Sequence, residues 1–508
     1  MFIKLYDGSR LVGLSPEAIT QIVVGTPVRE TSTDTGIPLH LSDPALDRFD
    51  GDDVVCLVDG EHYPPVTTAT LDALESNDAI VSGLVFLGGT EKIEDPTAEL
   101  ATAGATDAAE IYTGEAADGG VLGAIERAIS EQEPSIVVDL SDEPVVTYED
   151  RFEIASTILT HGVDYVGADF VFESPEAADV LERPSISIVG TGKRIGKTAV
   201  SVSIARTMDE EGYDPTIVCM GRGGPPEPVV VDTSERTIDA DALIELAERG
   251  EHAASDHLED ALLAGVPTVG CRRCGGGMAG NPVASNVVAG AERTADLADG
   301  FVIMEGSGAT MPPVETDARI ALVGAAQPLE HILQYFGQYR VQTSDLAVVT
   351  MCEEPLASEQ KVRRIEEGIT SIAPDIEYLL TTFRPEPGED VSGRSVFAAT
   401  TAPESIAPTI ETALEEEHGC DVVGFSTNLS NRPKLRDDLD EGMGEADVLL
   451  TEIKAASIDV AGRYAKENGL DVVFMHNEAT PIRGSVDSLE AGVVSLCERT
   501  LAERSPEE

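Results

Sequence analysis

Apolar residues in this chain come in short β-branched runs set between polar turns and helix-length stretches. Val54–Val58 has the composition of a strand buried on both faces, and Asp59-Gly60 ends it. Leu71–Leu74 lies in a helical stretch, and Ile80–Leu87 reads as the next strand, closed by Gly88-Gly89. Ile136–Leu140 and Tyr165–Phe172 read as two more strands, each after a helical stretch (Val121–Ile129 and Phe152–Leu159). A second series opens with Ile186–Val189. It continues through Thr216–Met220, Thr268–Gly270, Phe301–Met304, Ile320–Gly324 and Leu346–Thr350, with smaller segments at Val422–Phe425, Val448–Leu450 and Val472–Met475. Strands alternating with helices require crossover connections and therefore a mainly parallel sheet.

The 508 residues are too many for one ordinary core. The pattern divides them into an N-terminal extension over 1–53, whose order it does not set, a Rossmann-like α/β domain over 54–183, and a catalytic unit over 184–508. The first domain ends near Glu182-Arg183-Pro184.

Charge narrows the function. Acidic residues number 93 and basic ones 34, a net charge of −59. No general basic surface can hold DNA, RNA or anionic lipid, although a locally basic pocket can still bind a small anion. With 42% apolar residues in strand-sized runs, the chain reads as folded rather than as an acidic disordered one. Only eight of the basic residues are Lys, which fits a protein adapted to concentrated salt, where a Debye length of about 3 Å leaves surface carboxylates little mutual repulsion. No apolar run approaches a membrane span, the N-terminus lacks a signal-peptide core, and seven scattered cysteines suit a reducing compartment. A cytoplasmic protein is expected.

The strongest local signal is Gly190-Thr191-Gly192-Lys193-Arg194-Ile195-Gly196-Lys197-Thr198. A β-branched strand enters it and a helical stretch, Ala199–Met208, leaves it. Glycines let successive N–H groups face phosphate oxygens, and the helix N-terminus adds partial positive charge. Lys197 is placed to reach the β/γ-phosphates and the Thr198 hydroxyl to ligate Mg²⁺. The usual phosphate loop needs glycine at 191. The spacing here resembles instead the loop of dethiobiotin-synthetase-like ATPases. Between residues 93 and 360 the only lysines are Lys193 and Lys197. A second metal ligand is expected at Glu305, which ends the strand Phe301–Met304 and is followed by Gly306-Ser307-Gly308.

Two other stretches join arginine to glycine: Met220-Gly221-Arg222-Gly223-Gly224-Pro225-Pro226-Glu227-Pro228, and Gly270-Cys271-Arg272-Arg273-Cys274-Gly275-Gly276-Gly277. Loops after strand C-termini line the ligand crevice of an open α/β sheet, so these should converge with the phosphate loop. Arg222, Arg272 and Arg273 are candidates for a second anion, with Lys454 a weaker one. Cys271-x-x-Cys274 lacks a second ligand pair at metal spacing, which favours an anion loop over a metal site. His252 and His257 are expected on an exposed helix face.

Together, DGEHYPP (59–65), FLGGTEKI (86–93), GTGKRIGKT (190–198), MGRGGPPEP (220–228), LEDALLAGVPTVGCRRCGGG (258–277) and EGSGATMPPV (305–314) resemble the cyclic 2,3-diphosphoglycerate synthetases of archaea. The resemblance runs from about Val54 to near the C-terminus. It implies a P-loop NTPase-like parallel sheet with helices on both faces, ATP and Mg²⁺ as cofactors, 2,3-diphosphoglycerate as substrate, and a homodimer. The implied reaction closes 2,3-diphosphoglycerate into an intramolecular anhydride and yields ADP and phosphate. Other ATP-dependent phosphotransferases or ligases, such as a 2-phosphoglycerate kinase, and a nucleotide-switched ATPase are the competing classes.

Overall fold

The computed structural model describes residues 4–7, 10–13, 49, 51–103, 109–233, 240–249, 253, 255–297 and 299–505. Of the N-terminal extension, Lys4–Asp7 pairs antiparallel with Arg10–Gly13, and most of the remainder lies outside the described residues.

The first α/β unit holds a six-stranded sheet. Its order is Glu110–Thr113, Ile80–Phe86, Asp53–Val58, Ile136–Asp139, Asp164–Val166, Val171–Phe172. All pairs are parallel except the last. Strand order reverses between Asp53–Val58 and Ile136–Asp139, so the loops after both open on one crevice. Buried Asp59 ties that crevice together. It accepts from the backbone N–H of Glu61 and His62, from that of Asp142 at 2.6 Å, and pairs with His62 Nδ1 at 2.8 Å. The run Tyr165–Phe172 proves to be two short strands. The chain turns back at Gly167, whose N–H donates to Phe170 O, and a side chain there would run into the Phe170 ring. Glu110–Thr113 escaped the hydrophobic pattern because only Tyr112 of its four residues is buried.

The second sheet has thirteen strands among the described residues. From its edge the order is Val229–Val231, Thr268–Cys274, Thr216–Gly221, Val302–Glu305, Ser185–Gly190, Ala318–Gly324, Leu346–Thr350 and Glu377–Pro387. The core of this array is parallel, and every residue of Ser185–Gly190 and Thr216–Gly221 is buried. Helix Lys197–Glu210 lays Val200, Ile204 and Met208 on the sheet, beside Ile186, Ile188 and Ile320. Glu377–Pro387 then pairs antiparallel with Asp471–Gly484, which continues the sheet through Val448–Thr451, Ser395–Ala399 and Asp421–Ser426. Hydrophobic runs did not reveal the strand over 377–387, because it carries Arg384, Pro385, Glu386 and Pro387 in its outer half.

The two sheets meet through helices. Tyr148–Thr160 packs on Tyr335–Gln342, with the Phe152 ring edge-on to Tyr335 and Phe336 (centroids 5.1 and 5.5 Å) and Ser156 Oγ donating to Tyr335 O.

Candidate active site

The phosphate loop joins two buried elements, and its glycines are required by close approach. Gly196 caps helix Lys197–Glu210 at φ +82°, against the Phe383 ring, where a side chain would collide. At Gly190 an added Cβ would lie 2.8 Å from Lys197 Nζ. Thr191, where the usual motif has glycine, still serves the sheet. Its N–H donates to Leu322 O and its hydroxyl bonds Gln327 Oε1 at 2.6 Å. Gln327 also returns its amide to Thr191 O, and the Thr350 hydroxyl donates to Ile195 O at 2.8 Å. Both clamps come from neighbouring strand ends. Lys193 and Arg194 are exposed, Arg194 at φ +61°, and Thr198 is half-buried in the first helical turn.

Lys197 Nζ donates to Gly192 O (3.1 Å) and to Gly308 O (2.7 Å). Burial pushes its ammonium down to about 8, against the pull of Glu305, and Arg222 and Arg340 push the same way as burial. Gly308 is the meeting point of the cations. A Cβ added there would lie 2.6 Å from Arg222 Nη2 and 3.5 Å from Arg273 Nη2. Arg273 is itself held by Gly275 O (2.8 Å) and Ser307 O (2.7 Å). Burial and the neighbouring Arg222 charge lower its pKa. Three positive side chains, one from a helix start and two from the ends of neighbouring strands, therefore surround one glycine.

Behind Lys197 lies an acidic cluster. Ligand atoms of Cys219, Asp260 and Glu305 all fall within 4.8 Å of one another, and all three residues are buried. Burial, then the charge of Asp256, pushes Glu305 up to about 7. Burial and Glu305 push Asp260 well above the usual carboxylate range. Both Asp260 oxygens and Glu305 Oε2 are without a hydrogen-bond partner. Buried carboxylate oxygens without a protein donor suit a hard divalent cation such as Mg²⁺.

The structure thus gathers Lys197, Glu305, Arg222 and Arg273, with Thr198 next to Lys197 at the helix start. It does not gather Arg272 with them. The strand there is longer than its hydrophobic run, Thr268–Cys274, so alternation puts Arg273 on the Gly308 side and exposed Arg272 on the other. Lys454 is ion-paired to Glu259 at 3.0 Å. His257, expected on an exposed face, is buried against Gly270, because its helix covers that strand; His252 lies outside the described residues. Cys271 points into the core against Gly290, its thiol pushed up to about 12 by burial, while Cys274 is exposed. Among the described residues they belong to no metal-ligating group.

Sequence reasoning missed Asp260, Gln327 and Arg340. Asp260 left a usable signal: it shares a helical face with His257, Ala261 and Ala264, where an unpaired carboxylate is costly. Gln327 and Arg340 had none, since each acts on backbone far away in the chain.

Comparisons with known proteins agree along the chain. Family models described as the N-terminal, P-loop and C-terminal domains of cyclic 2,3-diphosphoglycerate synthetase match residues 53–173, 185–382 and 387–478. The cyclic 2,3-diphosphoglycerate synthetase of Methanothermus fervidus is 47% identical over 88% of this chain and 97% of its own length. That of Methanothermobacter thermautotrophicus is 46% identical over 89% and 97%. The one from Rubrobacter xylanophilus, a bacterium, is 44% identical over 85% and 94%, so relatives are not confined to archaea. Similarity at this level across all three parts of the protein means that the chain belongs to the cyclic 2,3-diphosphoglycerate synthetase family.

Proposed function

We propose that the protein uses ATP to close 2,3-diphosphoglycerate into its cyclic anhydride, releasing ADP and phosphate. The convergence of Lys197, Arg222 and Arg273 on Gly308 is the observation that carries this reading. A phosphate monoester is already an anionic nucleophile, so no strong base is needed. The obstacle is repulsion between polyanions: two unit charges 4 Å apart at an effective dielectric of ~20 cost about 4 kcal/mol. Catalysis therefore consists of gathering cations and aligning phosphates.

In this reading Lys197 and the amides of 192–198, past the sheet-bonded Thr191, take the ATP phosphates, with Lys193 and Arg194 at the exposed rim. Arg222 and Arg273 take one substrate phosphate, and exposed Arg272, which leaves the other face of its strand, is not among them. Transfer of the γ-phosphoryl to one substrate phosphate makes that group an anhydride. Attack by the neighbouring phosphate forms the ring anhydride and expels inorganic phosphate. Thr198 and Glu305 would hold Mg²⁺, which when bound neutralises charge on the β- and γ-phosphate oxygens. Glycine at 308, facing Arg222 and Arg273, lets phosphate approach the backbone, while glycine at 306 lets the chain pack against Ile188 O and Thr310 O. The acidic, Lys-poor composition supports operation in a salt-rich cytoplasm, and the family resemblance supports a homodimer.

Phosphorus NMR of products decides between chemistries. Incubation with MgATP and 2,3-diphosphoglycerate is expected to give anhydride signals from a cyclic product. Monoester signals alone, formed from 2-phosphoglycerate, would make the protein a kinase. ATP turnover indifferent to every phosphoglycerate would refute the proposal.

A further inference from the structure

Arg340 is unlike the other cations of the site. It sits on helix Tyr335–Gln342 with 2% of its surface exposed, and every partner of its guanidinium is a backbone carbonyl. Nη1 donates to Phe336 O (2.6 Å), Nε to Ala309 O (3.2 Å), and Nη2 to both Met278 O (3.2 Å) and Ala309 O. Among the described residues no carboxylate pairs with it. Burial pushes its pKa down to about 10. A protein of net charge −59 has thus buried a guanidinium without giving it a counter-ion.

The carbonyls it holds are informative. Met278 follows the strand that carries Arg273, and Ala309 follows Gly308. Arg273 ties the same two loops at a second point, through Gly275 O and Ser307 O. Beyond the Arg340 tie the loops also pair directly, Met311 N donating to Gly280 O. The loops form a double strap, cross-linked by Arg273 at its accessible end and by Arg340 at its buried end. Neutral donors could satisfy these carbonyls with less desolvation. A full positive charge is favoured behind the strap if an anion arrives in front of it.

We propose that Arg340 is a positioning residue for the second anion: its fork holds loops 275–280 and 306–311 in register, and its uncompensated charge favours a phosphate at Arg222 and Arg273. Arg340 is too buried to touch a ligand, so it acts through the strap. The same helix receives the N-terminal unit at Tyr335 and Phe336, which anchors the strap to the seam between the two sheets. The proposal rests on the reading of the site given above.

The test compares Arg340→Gln and Arg340→Lys with wild type in the full chain. Each is assayed for KM of the phosphoglycerate, for dissociation of a non-hydrolysable ATP analogue, and for thermal midpoint. Glutamine removes charge and fork; the expected result is a KM raised about tenfold or more with analogue affinity within about twofold. Lysine keeps charge and loses the fork, so an intermediate KM is expected. Wild-type KM in a folded glutamine variant overturns the proposal, as does a parallel loss of both affinities in the two variants. If the glutamine variant does not fold, the lysine variant decides: raised KM with intact analogue binding supports the assignment, and wild-type KM refutes it. A lysine variant that also fails to fold assigns Arg340 to stability alone and refutes it too. Wild-type product analysis is run first. Should the acceptor prove to be a different phosphoglycerate, its KM replaces the first, and the two readings fail separately.

Discussion

Lys197 offers a direct test of how the nucleotide site works. Its ammonium is held by two neutral carbonyls, and burial brings it from 10.5 to about 8. The charged form is therefore disfavoured by about 3 kcal/mol relative to water, at 1.36 kcal/mol per pKa unit. Bound triphosphate supplies the missing negative charge and should draw the proton back. At pH 9 the free protein carries Lys197 mostly neutral, so nucleotide binding is expected to take up about 0.9 of a proton. At pH 6.5, where Lys197 is already charged, it contributes almost none. Affinity for an ATP analogue should then fall about tenfold per pH unit above pH 8 until the unperturbed lysine range is reached. Titration calorimetry in two buffers of different ionisation enthalpy counts the protons. The control is Lys197→Met, which should bind more weakly and without proton uptake at pH 9. Wild-type binding with no slope above pH 8, or the same uptake in the methionine variant, would refute the assignment of Lys197 to the phosphates.

Arg273→Ala is expected to raise KM for the phosphoglycerate by about tenfold or more while leaving analogue affinity within about twofold, and Arg272→Ala to do less, because the two side chains leave opposite faces of one strand; steady-state kinetics of both variants checks the order, and equal or reversed effects would be contrary. With a net charge of −59, secondary structure followed by circular dichroism should be lost as salt is dialysed away and regained on its return; unchanged ellipticity in dilute buffer would remove the case for salt adaptation.

What the chain announces locally and what it conceals divide along a physical line. The phosphate loop is legible because strand, glycines, Lys197 and helix start are contiguous, and each is needed at a set distance from the next. Glu305 is legible for the same reason, as the first polar residue after a buried run. The alternation of strand with helix likewise sets the fold class, and the acidic net charge excludes polyanion-binding surfaces. Tertiary structure alone decided which scarce cations share a cleft. Arg272 and Arg273 are neighbours in sequence but separate by pleat alternation, once the strand extends to Cys274. Arg222, Arg273 and Lys197 are far apart in the chain yet meet at Gly308, because parallel neighbouring strands end side by side. Arg340 and Gln327 became visible only when their partners did, since they bind backbone carbonyls and a distant threonine, whereas Asp260 is readable as a carboxylate on a buried helix face but the carboxyl it opposes is not. Contiguity is written in a sequence. Convergence is not, because it depends on strand order and register, and those are settled by burial of both sheet faces over the whole chain.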